Sequence, residues 1–134
     1  MASTINASST ANGIVSTADA SGIIKVQSNG VTVSALAWVN FQGGQGNTAG
    51  TVNASYNVSS VSVNGTGDYT INFTNALANT YYAAGMGASD ATNFSICSPY
   101  GIAYTLTTSF RVACRNTSNS QQNAGQFMVS IFGN

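Results

Sequence analysis

Few side chains in this 134-residue chain can take part in chemistry: two thiols (Cys97, Cys114), three carboxylates (Asp19, Asp68, Asp90) and three cations (Lys25, Arg111, Arg115), with no Glu and no His. General acid–base catalysis needs titratable groups held within hydrogen-bond reach of a substrate, and scattered Asp with a single Lys leave almost nothing to build it from. A thiolate at either cysteine has no imidazole to activate it. Ser–Lys catalysis would rest on Lys25 in Gly22-Ile23-Ile24-Lys25-Val26, which reads as a solvated strand lysine. Without His, two separated Cys cannot make a zinc site, and Asp68 and Asp90 fit turn chemistry better than calcium ligation. The expectation is a protein that is not an enzyme and holds no metal or cofactor.

The two cysteines fall on predicted strands, and a disulfide requires those strands to pair in register. Two reduced, buried thiols are the preferred reading, because Met1 to Thr10 has neither the basic start nor the apolar run of a secretion signal. Gly43-Gly44-Gln45-Gly46 lacks the Gly-Lys-Ser/Thr ending of a phosphate loop and reads as a strand connection. Seven Asn-X-Ser/Thr triplets occur, at Asn6, Asn53, Asn57, Asn64, Asn72, Asn93 and Asn116. Composition alone predicts about four, so they carry no glycosylation argument.

Recognition falls instead to the aromatic residues of the second half, Tyr81, Tyr82, Phe94, Tyr100 and Tyr104, which stand among amides and hydroxyls. Rings that stack on apolar sugar faces, with amides fixing the hydroxyls, are the chemistry of glycan binding; core packing is the competing use of the same residues. Tyr100, in Ser98-Pro99-Tyr100-Gly101, and Phe94 are the candidates for exposed recognition.

The elements that must position these groups are strands. Ser, Thr, Asn and Gln fill 55 positions and charged residues only 4%, against about 25% in an average domain. Yet 43% of residues are apolar, enough for a thin core. β-branched residues recur at every second position, which predicts an all-β fold: an antiparallel β-sandwich or small barrel of about eight strands, spanning residues 31–134, behind an extended N-terminal arm over residues 1–30. Val31 to Phe41 reads as one long strand. Asn57 to Val63 and Asp68 to Thr74 read as a hairpin around Asn64-Gly65-Thr66-Gly67, whose Asn-Gly pair is expected at positive φ. Further strands are predicted over Tyr81–Ala88, Asn93–Cys97, Ile102–Thr107, Ser109–Arg115 and Gln126–Phe132.

In the first of these strands Ala37, Val39 and Phe41 alternate with Leu36 and Trp38, so both faces need cover. The second face is expected to meet another subunit, with Leu36 and Trp38 at the interface. Zero net charge gives little protection against self-association and supports the same expectation. It also removes the basic stripe that nucleic-acid binding requires. No apolar run approaches the roughly 20 residues of a membrane span, so a soluble chain without membrane insertion is expected.

Ala37-Trp38-Val39-Asn40-Phe41 with its Gly-rich loop, Tyr56-Asn57-Val58-Ser59-Ser60-Val61, and the block Asn64-Gly65-Thr66-Gly67-Asp68-Tyr69-Thr70-Ile71-Asn72-Phe73-Thr74-Asn75-Ala76-Leu77 together resemble a domain of tailed-phage virion proteins, of the tail-fibre and appendage type. The resemblance covers about residues 37 to 85, and the segment from Asp19 to Val33 is similar to stretches that lead into phage fibre domains. It implies a non-enzymatic structural component of a virion assembled in the host cytoplasm. It further implies a homotrimer. The arm, about Ala2 to Asn29, holds too few large apolar residues to bury a core of its own and is expected to dock to other virion proteins, while the β-domain is expected to serve surface display or attachment to a host-surface glycan. A head fibre, a capsid decoration and an adaptor protein are alternatives of the same kind. A monomeric carbohydrate-binding module, with sites near Tyr100 and Asn116 to Gly125, is the alternative from a different class.

Overall fold

The computed structural model describes residues 27–28, 31–32, 34–44, 49–90 and 95–133. Most of the expected arm lies outside them; within its range β1 (Gln27–Ser28) pairs antiparallel with β2 (Val31–Thr32). The body consists of β3 (Ala37–Gln42), β4 (Val52–Tyr56), β5 (Val58–Gly65), β6 (Asp68–Phe73), β7 (Ala83–Ser89), β8 (Ile96–Pro99), β9 (Ser109–Arg115) and β10 (Gln126–Phe132). Among the described residues these eight strands form two antiparallel sheets, ordered β4-β3-β10-β7 and β5-β6-β9-β8. Neither sheet closes on itself, so the sandwich is the outcome and the barrel is not.

Strand alternation supplies the core. Val39 and Phe41 of β3, Tyr69 and Ile71 of β6, Phe110 and Val112 of β9, and Phe127, Val129 and Ile131 of β10 are buried between the sheets. Near one pole Phe41 stacks on Phe127 at 5.3 Å and meets Tyr69 edge-on at 5.2 Å. Near the other, Tyr82 packs edge-on to Phe73 and Phe110. Burial pushes the Tyr82 phenol up to about 12.

This arrangement corrects three expectations and adds one strand that none of them covered. The long strand from Val31 to Phe41 is broken at 34–36, where Leu36 donates its N–H to the Ile131 carbonyl at 2.8 Å and turns into the core. Strand β4 goes unannounced in the sequence because its outward residues, Asn53 to Ser55, carry no apolar alternation. Ile102–Tyr104 is a 3-10 helix instead of a strand, and only Thr105 makes an isolated bridge, to Phe110. The segment joins β8 to its direct partner β9 and has no core beneath it, so Ile102 is left 94% exposed. In the β5–β6 hairpin, which forms as expected, the left-handed residue is Gly67 (φ 63°) and not the Asn64-Gly65 pair.

Candidate functional site

The second sheet turns Asp68, Thr70 and Asn72 of β6 and Arg111 of β9 outward, because their strand neighbours Tyr69, Ile71, Phe110 and Val112 are taken by the core. Arg111 stands opposite Thr70 and leans along the strand to Asp68, giving it Nε–H at 2.8 Å and Nη2–H at 2.6 Å in a bidentate pair. Its guanidinium carbon lies 4.0 Å from the Tyr100 ring centroid and 4.7 Å from that of Tyr104. The two rings meet edge-on at 5.4 Å. β8 delivers Tyr100, whose N–H bonds the Arg111 carbonyl, and the 3-10 turn brings Tyr104 back beside it. Asn64 Nδ2 donates to Asp68 Oδ1 and Thr70 Oγ1, and Asn72 Nδ2 donates to Ser60 and Ser62.

The hydrogen bonds from Arg111 hold the Asp68 carboxyl below the usual carboxylate range, although burial pulls the other way, and Asp68 in turn raises Arg111. A carboxylate so committed is neither a general base nor an acid near neutral pH. What the cluster offers a ligand is a neutralised, planar cation, two half-open phenol rings and a row of amides and hydroxyls. This is surface chemistry for binding a neutral polar molecule.

The first sheet presents a different outer face. β10 sends Met128, Ser130 and Phe132 outward, and Trp38 of β3 stands opposite Ser130, diagonally between Met128 and Phe132. Trp38 is 38% exposed, and Met128 and Phe132 are similarly open. On the far side β7 places Gly85 and Gly87 opposite Ser130 and Met128, so no side chains rise there. The result is an apolar strip across two central strands beside a bare stretch of backbone.

Two amides set the loops around these faces. Asn57 (φ 53°) carries the chain from β4 in one sheet to β5 in the other; its Nδ2 donates to the carbonyls of Leu36 and Asn75, and its Oδ1 accepts from the Asn75 N–H. At the opposite pole Asn123 Oδ1 accepts the Gly67 N–H at 2.8 Å and lies 3.2 Å from the Tyr69 hydroxyl, which also donates to the Gly43 carbonyl. Burial pushes Tyr69 up to about 12. The side-chain amides of Asn53, Asn57, Asn64 and Asn72, all in glycosylation-type triplets, are engaged in hydrogen bonds.

Of the sequence candidates, Trp38 is on the open face, whereas Leu36 is 3% exposed in the core and is withdrawn from the expected interface. The bend at 34–36 puts it out of phase with the strand. Tyr100 is partly exposed as expected, and Phe94 lies outside the described residues. Tyr100 and the 116–125 loop lie at opposite ends of the β8–β9 ladder. Arg111, the partner of Tyr100, is four residues up β9 from Arg115, about 13 Å along the strand. Asn116 Oδ1 instead accepts from the N–H groups of Ser118 and Ser120 and closes its own turn. Arg111, Met128 and Phe132 were missed as site residues. The alternation of Met128 and Phe132 against Phe127, Val129 and Ile131, apolar on both faces, was the available signal for the strip.

No family model matches the chain, and no curated protein or solved structure matches it.

Proposed function

We propose that this protein is a non-enzymatic structural module, a homotrimeric component of a virion appendage of the tailed-phage kind its sequence resembles, serving surface display or host attachment. One observation carries the assembly half of this reading: Trp38, Met128 and Phe132 form an outward apolar strip on a chain with only 4% charged residues. Large apolar side chains grouped on a charge-poor sheet face gain most by meeting another such face. The commitment of Asp68 and Arg111 to each other supports the non-catalytic half. The arm, about residues 2 to 29, would dock to other virion proteins.

Light scattering on the full-length chain tests this. A mass near three times 13.6 kDa that falls to the monomer in Trp38→Lys is the expected result, and a monomeric wild type overturns it. The Tyr100, Tyr104 and Arg111 cluster favours a second reading, glycan recognition by the other sheet, whether or not the chain assembles. A glycan array probed with wild type and with Tyr104→Ala addresses it: binding lost in the variant supports the cluster, and silence of the wild type removes it.

A further inference from the structure

Cys97 and Cys114 face each other in the β8–β9 register, and both sit on the core side of the sheet. Their position in the hydrogen-bond ladder is decisive. The Tyr100 N–H donates to the Arg111 carbonyl, which makes 100 and 111 a hydrogen-bonded pair. In an antiparallel ladder the two kinds of pair alternate, so 99 with 112 is non-hydrogen-bonded, 98 with 113 is bonded, and 97 with 114 is non-hydrogen-bonded. Cys114 agrees independently: its N–H goes to the Gly67 carbonyl at 2.7 Å and its carbonyl accepts from the Gln122 N–H, so neither backbone group turns to Cys97. A non-hydrogen-bonded pair holds its Cα atoms about 4.5 Å apart with the side chains at their closest, inside the range a disulfide spans.

We infer that Cys97 and Cys114, free thiols in this structure, are a built site for an intrachain cross-strand disulfide, formed on exposure to a low-molecular-weight disulfide oxidant. The Cys97 thiolate, the more exposed of the two, attacks one sulfur of the oxidant; a mixed disulfide forms and one small thiolate leaves. The Cys114 thiolate then attacks Sγ of Cys97, the protein disulfide forms, and the second small thiolate leaves. The two thiol protons end on the two released thiolates, so the protein is oxidised by two electrons and the reagent reduced by two. Burial raises both thiols, Cys97 to about 11, so the reaction is slow at neutral pH and accelerates with alkalinity. The bridge would close the segment that carries Tyr100, Tyr104 and Arg111 across its base. The inference does not depend on the proposed function.

The test is incubation of the full-length chain with oxidised glutathione at mildly alkaline pH, followed by intact mass and a non-reducing peptide map. The expected product is lighter by two hydrogens, links the β8 and β9 peptides, and melts higher than the reduced protein by about 5–15 °C. Cys97→Ser should show neither the mass loss nor the rise. Glutathione adducts that persist without loss of two hydrogens would overturn the inference. A bridged form that melts below the reduced one would do the same, since it would show the register to be strained by the bond.

Discussion

Asn57 combines a left-handed backbone with three side-chain hydrogen bonds at the crossing between the sheets. Asn57→Ala removes all three bonds and leaves a conformation that Ala adopts at a cost, so urea unfolding should show a loss of about 2–4 kcal/mol. In sequence the residue passes for the start of a strand, because its partners Leu36 and Asn75 are remote along the chain. The Asp68–Arg111 pair was hidden for the same reason, and Asp68 read as turn chemistry alone. That pair also sets an acid limb. The folded-state pKa of Asp68 lies below its ordinary 3.8, so as pH falls the unfolded chain binds the proton first. The stabilisation is therefore complete above about pH 5 and is lost as pH drops through 3.8 toward the folded value. Melting temperatures from pH 6 to pH 2 should fall more steeply for wild type than for Asp68→Asn.

The β5–β6 hairpin was the most legible element, because two alternating runs flank an obvious turn. Its left-handed residue was misplaced, since the choice between Gly65 and Gly67 is made by packing. A Cβ on Gly67 would run into the carbonyl oxygens of Cys114 and Gln122, while one on Gly65 would meet nothing. Gly67→Ala should thus cost at least about 2 kcal/mol and Gly65→Ala less than about 1, measured by chemical denaturation. Strands β9 and β10 matched their predicted bounds because each alternates over a full crossing of the core. Ile102–Thr107 shows the limit of that logic: the alternation is present, but the segment links two strands that already pair with each other, buries none of Ile102–Tyr104, and reaches the sheet only through the Thr105–Phe110 bridge.

As a whole molecule the protein is a sandwich with two unlike outer faces, an apolar strip over Trp38 and a polar aromatic cluster over Arg111. The all-β class was legible from alternation, whereas the difference between the faces required knowing which strands are neighbours. If the apolar face joins subunits, folding is coupled to association, and the melting temperature should rise with protein concentration for wild type and become independent of it in Trp38→Lys. Calorimetry over a hundredfold range of concentration measures this.

The pairing of β3 with β10 has a mechanical consequence. The chain passes into the sandwich at Leu36 and out of it at Gly133, and these two points are adjacent, since Leu36 bonds Ile131 and Gly133 packs near Leu36. Tension between them pulls the two central strands apart from their shared end, opening Ala37 from Ile131, then Trp38 from Ser130, one rung after another instead of all at once. Peeled in this way, the ladder yields at low force.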